Sequence, residues 1–170
     1  MGIHRFYHYF FNTCCPFSKE DIMNRIISFP PLYYFSTIVL AVLCPWLFPV
    51  ANVTPWLLCV VGVLPLAIGC YLLRSGSRQF NKANTTFYLE KPAAFVYDGM
   101  FRYSRNHMYL GALLFVSGVA LLTGNLVAMI APVLFFGGIN FLCIPPEEKI
   151  MKHTFGQAYL NYKNSVRRWI

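Results

Sequence analysis

The chain has 170 residues, 57% of them hydrophobic and only 12% charged, with a mean hydropathy of +0.50. Soluble domains carry about 25% charged residues, so this composition argues against a water-soluble bundle with apolar core helices. The net charge of +8 does not point to nucleic acid, because the bases are scattered among aromatic and apolar residues without a zinc-finger or other recognition pattern.

All 14 Lys and Arg and all 6 Asp and Glu fall in three stretches, Arg5–Arg25, Arg74–Arg105 and Glu147–Arg168. The first stretch has no small-residue cleavage site after an apolar core, so it does not read as a signal peptide. It also lacks the Ser or Thr at position 6 that a myristoylation site wants. His4 and His8 share one face of a possible turn among Phe6, Tyr7, Tyr9, Phe10 and Phe11. With no third ligand nearby, that turn reads as an aromatic interfacial anchor rather than a metal site. Ile22, Met23, Ile26, Ile27 and Phe29 fall on one side of a helix whose other side carries Glu20, Asp21 and Arg25. That pattern predicts an amphipathic segment lying in the membrane interface.

Two intervals without charge follow, 48 residues over Ile26–Leu73 and 41 residues over Asn106–Pro146. Each is long enough to cross a bilayer twice, because about 20 helical residues span the hydrocarbon layer. Each has a break where a hairpin would turn, Pro49-Val-Ala-Asn52-Val-Thr54-Pro55 in the first and Thr123-Gly124-Asn125 in the second. Four spans are therefore predicted, Leu32–Phe48, Trp56–Leu73, Met108–Leu122 and Leu126–Ile144. The runs are continuously apolar rather than alternating, so they predict helices and exclude a barrel.

The expected fold is an all-α membrane protein: four transmembrane helices in two hairpins, with an N-terminal interfacial helix and a C-terminal cytoplasmic amphipathic helix. A single domain over residues 1–170 follows from its length. If the four spans hold, every Lys and Arg lies on one side, which places both termini in the cytoplasm and the basic surface against anionic lipids. Of the six cysteines, Cys44, Cys59, Cys70 and Cys143 sit in apolar spans as small hydrophobes. The Cys14–Cys15 pair reads as packing or as an acylation site. No Cys/His ligand spacing indicates a metal, and oligomeric state is left open.

The second charged stretch delivers Asp98, Arg102, Tyr103, Ser104, Arg105, Asn106, His107 and Tyr109 to the mouth of the third span. As residues alone they suit either a snorkelling collar or a binding site. Gly111 and Gly118, seven apart, leave room for a close helix or ligand approach. The fourth span ends with Gly137-Gly138, Asn140 and Pro145-Pro146, where the helix is expected to stop before Glu147-Glu148. Carboxylates at that depth need donors, and Arg102, Arg105 or a bound cation are the expected partners. Beyond them, Met151, Phe155, Tyr159, Tyr162 and Val166 recur at helical spacing. Lys149, Lys152, Lys163, Arg167 and Arg168 are then directed toward headgroups, and Gly156 marks a bend.

Asp98-Gly99-Met100-Phe101-Arg102-Tyr103-Ser104-Arg105-Asn106-His107-Met108-Tyr109-Leu110-Gly111, then Glu147-Glu148 and Phe155-Gly156-Gln157-Ala158-Tyr159-Leu160-Asn161-Tyr162, resembles a known pattern. It is that of the integral-membrane isoprenylcysteine carboxyl methyltransferase and phospholipid methyltransferase superfamily, with His107 in the place of the usual proline. The resemblance covers residues 98–168 and implies a cofactor-binding region for S-adenosyl-L-methionine at the ends of the last spans. It implies cofactor contacts from Arg105, His107, Tyr109, Gly111, Glu147, Glu148, Tyr159 and Tyr162, and catalytic roles for Arg102, Arg105 and Glu148.

The implied reaction is methyl transfer to a membrane-dissolved acceptor such as an isoprenylcysteine carboxylate. A phospholipid amine or a small thiol is the alternative acceptor. A non-enzymatic scaffold derived from the family is the competing class, and a nicotinamide-dependent sterol reductase or a small transporter fits less well.

Overall fold

In lipid a backbone must satisfy its own N–H and C=O groups, and helices do so within one segment. A computed structural model describes residues 29–53, 56–82 and 98–170. The expected interfacial segment bearing Ile22, Met23, Ile26 and Ile27, the Cys14–Cys15 pair and the His4 and His8 turn lie outside the described residues. Every regular element among the described residues is helical. Helix α1 is Pro30–Leu47, α2 is Trp56–Lys82, α3 is His107–Leu122, α4 is Ile130–Gly138 and α5 is Ile144–Ser165. Short 3-10 turns at Pro49–Ala51, Gly99–Arg102 and Val127–Met129 connect them, and a π-helical turn, Ile139–Cys143, joins α4 to α5.

Among the described residues, three helical segments are long and apolar enough to cross a membrane: Pro30–Leu47, Val60–Gln79 and the run Val127–Ser165, whose charge-free part ends at Pro146. Helix α3 is as apolar but has 16 residues. It is about 24 Å long at the usual rise per residue, short of the hydrocarbon thickness. The chain is an integral, multi-pass membrane protein. Its outward faces show this as clearly as its lengths do: Phe35, Val39 and Trp46 of α1, Leu64 and Tyr71 of α2, and Val133 and Phe141 of the last run are all exposed. The interior is built from smaller groups, with Ala41, Cys44, Val116, Ala120, Ala128 and Ala131 forming one cluster. Tyr109, Ala112, Phe135, Ile139, Cys143 and Ile144 form the other.

Helix α3 is the central element, touching α1, α2 and α4. Its seam with α2 is made by glycine. A Cβ placed on Gly69 would lie 2.6 Å from both the Gly111 carbonyl oxygen and the Phe115 nitrogen. One on Gly118 would lie 2.7 Å from the Leu66 nitrogen and 2.9 Å from the Gly62 oxygen. Backbone meets backbone here, as in other small-residue helix pairs in membranes. The room expected beside Gly111 and Gly118 is taken by α2.

At one end of the bundle the two breaks in the apolar intervals meet. Asn125, 2% exposed, donates through Nδ2 to the Phe48 carbonyl (2.9 Å) and to Asn52 Oδ1 (2.7 Å). Its Oδ1 accepts from the Val127 (2.9 Å) and Ala128 (3.2 Å) N–H groups. The Val53 N–H donates to the Gly124 carbonyl (2.8 Å) and the Leu126 N–H to the Ala51 carbonyl (3.1 Å), so the two turns form one clamp.

One expectation is corrected. Pro145-Pro146 do not stop the helix; they occupy the first turn of α5, and helix continues past them to Gly156. Proline's fixed φ suits a first helical turn. The preceding π turn widens the coil and makes room for the rings.

Gly69→Ala is expected to force α2 away from α3 and destabilise the protein by about 1–3 kcal/mol, because the clashing atoms are backbone and cannot yield. Gly137→Ala, where nothing lies within 4 Å of the added carbon, is the control. Unfolding midpoints in mixed micelles read both, and equal midpoints for the two variants would remove the seam as a determinant of stability.

Candidate functional site

The opposite end of the bundle gathers the charge. Gln79, near the end of α2, holds the Gly99–Arg102 turn. In the orientation that satisfies both groups, its side-chain amide donates to the Asp98 carbonyl (3.2 Å) and accepts from the Met100 N–H (3.1 Å). From that turn the chain enters α3 through Arg105, whose Nη1 donates to Glu148 Oε1 at 3.2 Å. Arg105 also reaches the buried Tyr159 hydroxyl.

Glu148 is the hub. Besides Arg105 it accepts from Lys163 Nζ at 2.8 Å on Oε2, and from Arg168 at 3.2 Å on each oxygen, Nε to Oε1 and Nη2 to Oε2. The Arg105 and Glu148 side chains are 10% and 13% exposed, whereas Lys163 and Arg168 are 40% and 36% exposed. Breaking a buried pair of the first kind costs about 3–5 kcal/mol. A solvent-screened pair of the second kind contributes about 0–1 kcal/mol. The Arg105–Glu148 pair is therefore the energetic centre. The charge-free interval ends at Pro146, and both glutamates lie just beyond it. Burial alone would raise the Glu148 carboxyl, but hydrogen bonds from Lys163 and Arg168 and the charge of Arg105 outweigh it and hold Glu148 below its usual value.

Glu147, one residue earlier, points elsewhere. Its Oε1 accepts a hydrogen bond from the Tyr109 hydroxyl. Burial pushes its carboxyl up to about 7, against the lowering effect of that bond. Neighbouring residues on a helix project about 100° apart, so adjacent glutamates meet different surroundings.

Lys163 follows Glu148 by 15 residues. On a straight helix the two would be about 22 Å apart. They are in contact because Gly156, with φ 53° and ψ −124°, interrupts α5 and turns the chain back. The returning arm also brings the Tyr162 hydroxyl to the Phe101 carbonyl (2.7 Å) and places the Tyr159 ring 6.4 Å from that of Tyr162. The bend expected at Gly156 is present, and it is a reversal.

Of the residues singled out by sequence, Arg105, Glu148 and Tyr159 meet directly, Tyr109 and Glu147 pair beside them, and Tyr162 closes onto the Phe101 turn. Arg102 is exposed and is not among the donors to Glu148. His107 is buried against the Phe101 ring edge, centroids 4.2 Å apart, on the side facing Gly76 of α2. Gly111 packs against Gly69 and Leu72. Lys163 and Arg168, expected to face headgroups, instead hold Glu148. The available signal was the demand of a half-buried carboxylate for several donors, joined to a glycine that reverses the chain.

The profile of the phospholipid methyltransferase family matches residues 57–158, more than half of the chain. An uncharacterized protein of Haemophilus influenzae (strain ATCC 51907 / DSM 11121 / KW20 / Rd) is 38% identical over 63 residues, which are 37% of this chain and 100% of that protein. No solved structure matches.

The family match includes Gly156, and a residue with a Cβ is strained at its dihedral angles. Gly156→Ala is expected to destabilise the returning arm by about 1–3 kcal/mol and to speed tryptic cleavage after Lys163. Unchanged cleavage would show that the reversal does not depend on glycine.

Proposed function

The chain belongs to the phospholipid methyltransferase family, whose members move a methyl group from S-adenosylmethionine to a membrane-associated acceptor, and we propose that the acceptor here is the amine of a phospholipid headgroup. The family matched favours this acceptor over the isoprenylcysteine carboxylate first expected. The observation that carries the reading is the pair of adjacent glutamates in opposite surroundings, Glu148 among three cations and Glu147 buried against Tyr109.

The residues present fit the cofactor. Arg105, Lys163 and Arg168 exceed the single charge of Glu148 by two, and Arg105 Nε is buried with no partner among the described residues. That excess suits the carboxylate of an amino-acid-like ligand. When bound, S-adenosylmethionine supplies an electrophilic methyl carbon on a sulfonium. We assign Arg105 to the carboxylate, with Lys163 and Arg168 holding Glu148 behind it, and Tyr159 and Tyr162 to the wall of the site.

An ammonium headgroup has no lone pair, so a proton must leave before nitrogen can attack carbon. Glu148, held ionised by its cations, is a weak proton acceptor. Glu147, raised to about 7, is matched to the task. In the proposed step Glu147 would take the ammonium proton and so free the nitrogen lone pair for the methyl carbon that the bound cofactor would supply, its sulfonium sulfur being the leaving group. Alignment and exclusion of water supply the rest.

The proposed topology has four spans, α3 being the short one, with both termini and the basic stretches in the cytoplasm. Residues 1–170 form one domain, and residues 98–168 hold the cofactor. The charge-free clamp at one end and the cation cluster at the other support this orientation.

With purified protein in phosphatidylethanolamine nanodiscs and labelled S-adenosylmethionine, the expected product is N-methylated lipid. The rate should rise with pH through about 7 as Glu147 loses its proton. Glu147→Gln should lower it by about 100-fold and flatten that limb. Label appearing only in an added prenylcysteine or thiol would overturn the amine assignment.

A further inference from the structure

The segment after α5 is tied down residue by residue. At Val166 the backbone becomes extended (φ −122°, ψ 132°), and its N–H still donates to the Tyr162 carbonyl (2.9 Å). The Arg167 carbonyl then accepts the Arg105 N–H (3.1 Å), and the Arg168 carbonyl accepts Asn106 Nδ2 (3.0 Å). The Trp169 indole N–H donates to Asn140 Oδ1 in the π turn (3.2 Å), and its ring lies 5.1 Å from that of Phe136. Three consecutive residues thus grip the entry to α3 and the π turn that precedes α5. Between those anchors the Arg168 guanidinium forks over both oxygens of Glu148.

We propose that Arg168 is a positioning residue: the Val166–Ile170 strap fixes its guanidinium, and that fork fixes the carboxylate plane of Glu148 so that Oε1 faces Arg105. This rests on the proposed cofactor site, and it concerns a residue beyond the stretch that the family profile matches. A planar fork restrains a carboxylate in a way a single ammonium cannot. Lys163 touches Oε2 alone and is the most exposed of the three cations. Without Arg168, Glu148 is free to turn toward Lys163 and water, and Arg105 loses its alignment. The π turn has a part in this, because Asn140 holds Trp169 and thereby the strap. Arg168 acts through Glu148 and Arg105, so its loss should be felt as weaker cofactor binding that depends on Glu148 being present.

The test is S-adenosylmethionine affinity of the purified full chain in nanodiscs, with helical content and elution profile recorded for each variant. Arg168→Ala should weaken binding by about tenfold, with Arg168→Lys in between. In a Glu148→Gln background, Arg168→Ala should add less than about twofold, since coupled residues are not additive. Arg168→Ala with wild-type affinity overturns the inference, as does a full loss that persists in the Glu148→Gln background. If Arg168→Ala does not fold, a folded Arg168→Lys with unchanged affinity overturns it equally. Wild-type protein that binds no cofactor overturns the proposed function and this inference with it, whereas wild-type binding that is indifferent to Arg168 overturns this inference alone.

Discussion

A polar group surrounded by hydrocarbon must find its partners inside the protein, and this constraint organises the molecule from end to end. Between the two ends the buried residues among those described are mostly small or apolar, and the buried Thr37 donates to the Tyr33 carbonyl of its own helix (2.6 Å). At one end Asn125 makes four hydrogen bonds and leaves nothing of its amide unsatisfied. At the other, Glu148 accepts four from three cations. Each hub draws in parts of the chain far apart in sequence.

The two hubs are coupled by the packing between them. The glycine contacts of α2 and α3 hold the backbones close enough that Gln79 reaches the Gly99–Arg102 turn. That turn leads Arg105 into place. On the other side the π turn and the Pro145-Pro146 first turn set the rotation at which Glu147 and Glu148 leave the bundle. A helix without the π turn would advance the glutamates around the axis by part of a turn and separate them from Arg105 and Tyr109. The extra residue is thus tied to the placement of the charged end, in keeping with the usual association of such turns with functional sites.

Much of this was legible in the sequence, and what was not has identifiable causes. The segregation of charge gave the apolar helices, and the Pro/Asn and Gly-Asn breaks gave both turns at their observed places. The need of a buried carboxylate for a donor pointed to Arg102, Arg105 or a bound cation, and of the two arginines it is Arg105 that meets Glu148. Pro145-Pro146 were misread because a proline pair ends a helix when entered from within and starts one when preceded by a distorted turn, and periodicity does not show the π turn. Lys163 and Arg168 were assigned to lipid because helical spacing assumes a straight axis. One positive φ at Gly156 cancels that assumption and redirects every residue after it. Gly111 was ambiguous for another reason: spacing shows that a helix face is thin, and only the fold shows that Gly69 fills the gap.

Two adjacent carboxylates with separated titrations are a recurrent way to provide both a fixed charge and a proton acceptor at neutral pH. Here the separation arises from rotation about one helix. Glu148 faces the returning arm and its cations, which favour the charged form. Glu147 faces Tyr109 in the apolar interior, which favours the neutral form. Exchanging their positions would bury the ionised group among carbon and leave the cations with a neutral partner, so the order Glu147 then Glu148 follows from the handedness of the helix and the side on which Gly156 turns the chain. In the proposed reaction that order gives Glu147 the proton-accepting role and Glu148 the fixed charge that holds the cations.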